Sequence, residues 1–175
     1  MQLTWILLVV FCALLAELAA GGLGLAVPFL ASAIFYLSTV YGWRLVTVPA
    51  LLAGAVLDVT LGRHAPVTAF LVLPLVISLA RFWRHEGVCR YLLVQALPGA
   101  FLGLIQAVVL LSMESFMIER FFWRLLFHNL WLAAELAVAG LIALPSVCAA
   151  LDRLARLLAM PRYQEVQERR PEHVS

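Results

Sequence analysis

Long apolar runs broken by short charged or glycine-rich interruptions organise this chain. A helix needs roughly 20 residues to cross the hydrocarbon of a bilayer, with about 17 to 25 tolerated, so the interruptions serve as rulers. They predict six spans. The first covers about Leu3 to Ala20, broken only by Glu17, and the second about Leu25 to Val40, after the turn Gly21-Gly22-Leu23-Gly24. A third, short span lies between Arg44 and Gly62 and a fourth between Ala65 and Arg81. The fifth runs from about Tyr91 to Met113, and the sixth from about Leu125 to Pro145, continuing toward Met160.

Composition agrees with that pattern. Hydrophobic residues make up 65% of the chain and mean hydropathy is +1.01, well above a soluble domain of this length. The expected fold class is an all-α polytopic membrane protein with six transmembrane helices. The only long hydrophilic stretch begins at Asp152, and about two dozen residues cannot bury a core. Residues 1–160 therefore read as one transmembrane domain. It closes with an interfacial helix, Leu151 to Met160, whose leucines recur at helical spacing with arginines off that face, so that it lies on anionic lipid. Residues 161–175 read as a disordered tail. Met1-Gln2-Leu3-Thr4 lacks the basic start of a secretory signal, so the first span is expected to be retained.

Charge fixes an expected orientation. All twelve basic residues are arginines. With six spans, Arg44, Arg81, Arg84, Arg90, Arg153, Arg156, Arg162, Arg169 and Arg170 share one side, against Arg63, Arg120 and Arg124 on the other. Nine against three on short loops predicts cytoplasmic termini, because basic residues resist translocation and favour the anionic inner leaflet. Cys12, Cys89 and Cys148 fall where disulfides do not form readily and read as small packing residues.

Catalytic signatures are missing: no His-Glu-x-x-His, no Gly-x-Ser-x-Gly and no glycine-rich phosphate loop. His64, His85, His128 and His173 are scattered and imply no metal site. What remains is a set of polar residues inside spans, where a charged side chain costs about 2.5–3.5 kcal/mol on insertion scales. The expected topology places Glu17, Asp58 and Gln106 near the outer ends of their helices, His128 and Asn129 at the outer start of the sixth, and Glu135 about 10 Å deeper. His128, Leu132 and Glu135 fall on one helical stripe, so the polar groups are expected to converge at the outer leaflet. Glu17 and Asp58 have the plainer alternative of pairing with Arg63, Arg120 or Arg124 at the interface. Glu135 is expected to make an interior contact, with His128 or with a partner helix.

Small residues at four-residue spacing give a second signal. Gly99-x-x-x-Gly103-x-x-x-Ala107, Ala50-x-x-x-Gly54 and Ala16-x-x-x-Ala20 let helix backbones approach closely, either inside this bundle or against another protein.

The segment Gly54-Ala55-Val56-Leu57-Asp58-Val59-Thr60-Leu61-Gly62 resembles the Gly-x-x-Leu-Asp-x-x-x-Gly pattern of the rod shape-determining MreD family. Pro28 opening the second helix, an arginine-bearing turn before the third and a basic stretch after the sixth extend the resemblance from Pro28 to Arg162. Phe29 stands where the family often has Asn, and Pro66 where glycine is common. The resemblance implies a non-enzymatic inner-membrane scaffold of the bacterial cell-elongation machinery. Its implied partners are a single-span MreC-like protein and, indirectly, MreB, RodA and its transpeptidase; nucleic acid is not among them. It further implies a fold similar to the six-helix substrate-binding subunits of energy-coupling-factor vitamin transporters, which makes a vitamin-binding subunit the alternative reading. Candidate partner- or ligand-binding residues are Asp58, Glu17, His128, Glu135, Gly99 and Gly103, with Gly54, Leu57, Asp58 and Gly62 as the motif and no cofactor implied.

Overall fold

The computed structural model describes residues 2–23, 25, 27–62, 66–86, 92–117 and 122–163, with side chains described outside 85–95 and 110–129. Among the described residues six α-helices follow one another: α1 (Gln2–Gly22), α2 (Phe29–Tyr41), α3 (Trp43–Thr60), α4 (Leu73–Glu86), α5 (Leu92–Met117) and α6 (Phe122–Leu157). No strand occurs among the described residues. A π-helical turn, Thr68–Val72, leads into α4. Pro74 follows just past Leu73, with no N–H to give the carbonyl of Phe70 and a ring that crowds that carbonyl, and a widened turn relieves both.

Among the described residues, three helices are long and apolar enough to cross a membrane: α1, α3 and the Leu130–Leu157 part of α6. The apolar helix α2 and the apolar stretch Ala96–Val109 of α5 are shorter. The 13 residues of α2 rise only about 20 Å, against roughly 30 Å of hydrocarbon. Pro28 before it and Gly42 after it bound the helix. Every residue from Leu30 to Val40 is buried, because α2 is the central helix, packed against α1, α3, α4, α5 and α6. A helix that is apolar all round has no solvent face to offer and belongs inside.

The outer surface is apolar as well. Leu3, Leu7, Phe11 and Leu15 on α1, and Val48, Leu52, Val56 and Val59 on α3, are exposed. Such a belt belongs against lipid rather than water.

The chain reverses between α2 and α3 and between α5 and α6. Gly42 alone joins α2 to α3, reversing the chain at a φ of 88° that only glycine adopts at no steric cost. In α5 and α6, Gly99 lies against Gly140 and Gly103 against Leu136. The ends of the bundle thereby differ. One carries the C-terminal parts of α1 and α3, with Glu17 and Asp58; the other carries Arg44, Arg81, Arg84, Arg153, Arg156 and Arg162.

Most of the stretch expected to form an interfacial helix, Leu151 to Met160, is the last part of α6. That helix is continuous for 36 residues, passes through Pro145 without a break, and turns Leu151, Asp152 and Ala155 inward. Asp152 is satisfied inside: its Oδ1 accepts the hydroxyl of Tyr36 at 2.7 Å and the backbone N–H of Tyr163 at 2.8 Å. After α6 the chain turns back at Ala159, with φ of 52°, and buries Tyr163 against Tyr36, ring centroids 6.1 Å apart. Tyr163, expected in the disordered tail, is thus packed; residues 164–175 lie outside the described residues.

Candidate functional site

At the carboxylate end each acidic side chain serves the start of the next helix. Pro28, the N-cap of α2, has no side-chain oxygen to offer the free amides of the first turn. Glu17 supplies it from α1, its Oε2 accepting the N–H of Leu30 at 2.7 Å. A carboxylate there also meets the positive end of the helix dipole. Asp58 acts alike from α3. It is 1% exposed, and its Oδ2 accepts the N–H of Ala69 at 3.2 Å in the turn that opens the fourth helical segment.

The four motif residues have separate tasks. A Cβ on Gly54 would lie 2.9 Å from Ala69 Cα and 2.7 Å from Leu73 Cδ1, so glycine lets α3 approach the π-helical turn closely. Leu57 is buried in the core on the same face. Asp58, one residue on, reaches the Ala69 amide that this approach brings near. Gly62 ends the segment at a φ of 66°, with open space around it, so conformation rather than contact selects it.

The Gly99 and Gly103 stripe, a candidate partner face, is internal. A Cβ on Gly99 would overlap the carbonyl oxygen of Gly140, and one on Gly103 that of Leu136. Both glycines therefore join α5 to α6, and Ala107 is buried on the same side. Of the other stripes, Ala50 and Gly54 are buried, whereas Ala16 is exposed beside buried Ala20.

Glu135 does not turn into this bundle, which leaves the contact with a partner helix as the remaining one of its two expected contacts. It lies on the outer face of α6, exposed, in a stripe formed by Trp131, Val138 and Ile142, which are 74%, 57% and 61% exposed. The opposite face, with Leu136, Gly140 and Leu144, turns toward the bundle. The side chain of His128 lies outside the described residues, as do Arg63 and Arg120 and the side chain of Arg124. Glu17 and Asp58 are occupied with helix starts and Glu135 points outward, so these three do not form one polar pocket. No group of three or more His, Cys, Asp or Glu able to hold a metal ion occurs among the described residues.

The arginine end holds what the sequence did not reveal. A cavity of about 320 Å³ there is lined by Ser38, Trp43, Arg81 and Arg84, from α2, α3 and α4. Ser38 reads in the sequence as one small polar residue in an apolar run, and only the meeting of three helix ends gives it meaning. The one available hint was the placement of Trp43 and Arg44 at a helix start facing the Arg81 to Arg84 turn.

Comparison with family models, with curated proteins and with solved structures returns no match.

Proposed function

We propose that this protein is a non-enzymatic membrane scaffold of the bacterial cell-elongation complex, of the MreD type, acting by binding the single span of an MreC-like partner. The reading takes all six helices as spans of the inner membrane, with both termini cytoplasmic. The Gly54 to Gly62 resemblance supports the family, and the arginine-rich end supports the orientation.

One observation supports partner binding above the others: the exposed carboxylate of Glu135 within the apolar segment Leu130–Leu157. A charge facing hydrocarbon is costly, by about 2.5–3.5 kcal/mol on insertion scales, whereas a second helix bearing a hydroxyl, amide or basic group would cover it. Trp131, Glu135, Val138 and Ile142 recur at four-, three- and four-residue steps, the geometry of a helix contact seam.

The test is co-purification. Glu135→Leu is expected to insert and accumulate like the parent while recovering about tenfold less MreC-like partner, a loss of roughly 1.4 kcal/mol, and to leave rod-shaped cells rounded. Unchanged recovery removes this face from the interaction. Normal shape in cells lacking the gene removes the scaffold reading itself.

A further inference from the structure

Four features meet at the arginine end. First, the cavity's lining holds two guanidinium groups and, among the described residues, no carboxylate. At about 320 Å³ it reaches the lower range of small-ligand pockets, ample for a phosphate group. Second, Ser38 is 4% exposed and its Oγ has no hydrogen-bond partner, although it lies in the central helix where an unmet hydroxyl is costly. Third, α3 begins at this place with no side-chain cap, so the amides of its first turn and the positive end of its dipole face the same region. Fourth, the guanidinium of Arg84 is held close over Gly42, where an added Cβ would come within 3.4 Å of Nη1.

Further orphaned donors gather at this end. Besides Ser38, the Trp5 and Trp83 indole nitrogens and the Tyr41 hydroxyl are buried without a partner, and all belong to the helix termini that meet here. Ser38 alone of these lines the cavity. A donor-rich, positively charged recess asks for a multivalent acceptor anion, and arginine forks match phosphate oxygens in pairs.

The surroundings identify the source of that anion. Trp43 is 44% exposed with Arg44 stacked 5.6 Å over its ring, and Leu45 and Phe82 beside them are exposed too. Exposed tryptophan, arginine and apolar side chains together mark the headgroup level of a bilayer. We propose that the recess formed by Ser38, Trp43, Arg81 and Arg84 is a binding site for the phosphate of an anionic phospholipid, with the acyl chains lying against the apolar flank.

The test uses the full chain purified in mild detergent and intact-complex mass measurement with phosphatidylglycerol or phosphatidylcholine. Phosphatidylglycerol adducts are expected to exceed phosphatidylcholine adducts about tenfold, and to fall to the phosphatidylcholine level in the double variant Arg81→Gln, Arg84→Gln. Ser38→Ala, which leaves every charge in place, is expected to weaken the adduct severalfold. An unchanged elution volume and melting temperature without lipid certify that each variant is folded; if the double variant fails this check, Ser38→Ala and Arg84→Gln alone decide the matter. Equal binding of the two lipids, or undiminished phosphatidylglycerol binding by the folded variants, overturns the site. Thermal protection by inorganic phosphate equal to that by phosphatidylglycerol overturns the lipid assignment in favour of a free anion.

Discussion

The hydroxyl of Tyr36 donates to Asp152 at 2.7 Å, tying the middle of the central helix to the end of the last one across 116 residues of chain. The same carboxylate oxygen accepts the N–H of Tyr163, so one acid organises α2, α6 and the returning segment. Tyr36→Phe keeps the ring and its stacking on Tyr163 but leaves the buried Asp152 with one donor fewer. A loss of about 1–3 kcal/mol is expected, seen as a melting temperature several degrees lower in detergent. Asp152→Leu should release Tyr163 as well, read as faster proteolysis of the C-terminal segment; equal protease resistance would show that the segment is held elsewhere.

Glu17 caps a helix that cannot cap itself. Glu17→Gln retains a carbonyl oxygen for Leu30 and is expected to cost little, whereas Glu17→Ala should cost about 0.5–2 kcal/mol, the usual worth of an N-cap. Thermal melts of the two variants in one detergent compare them directly. Equal melts would show that the α2 start is satisfied without the side chain.

Asp58 and Gly54 work as a pair. Asp58→Asn should keep the fold with a weakened turn, while Asp58→Leu should reduce membrane accumulation, because the Ala69 amide loses an acceptor in a buried place. Gly54→Leu should do the same by forcing α3 away from Ala69. Quantitative immunoblots of membrane fractions measure both; wild-type levels for Asp58→Leu would make the residue a passive one.

Gly99 and Gly103 bear on folding. Replacing either with Leu drives a side chain into the backbone of α6, and the expected result is less protein in the membrane rather than a folded protein that loses a partner. Normal levels of Gly103→Leu would mean that α5 and α6 separate more readily than their close contact implies.

The proposed orientation has its own test. A fusion of alkaline phosphatase after Met160 should be inactive if the arginine end faces the cytoplasm. Activity there reverses the assignment.

The pattern of apolar runs by itself determined that this is a helical chain with membrane-length segments and placed α1, α2, α3 and α5 closely, whereas α4 begins at Leu73 rather than Ala65 and α6 runs on past Pro145 to Leu157. Gly54, Leu57, Asp58 and Gly62 were joined by their resemblance to a family pattern and not by the apolar periodicity. The apolar pattern could not say which side of a helix faces inward. In a water-soluble helix a polar face points out, but here the exposed Leu52, Val56 and Val59 and the buried Val46, Ala50 and Ala53 of α3 are equally apolar, so periodicity carries no direction. Only the tertiary structure decided that α2 is central, that Gly99 and Gly103 close on Gly140 and Leu136, and that Glu135 points outward. Asp152 shows the same limit from the polar side. Beside Arg153 and Arg156 it reads as the start of a surface segment, because an acid is expected in water unless something meets it, and what meets it is a tyrosine hydroxyl far away in the sequence.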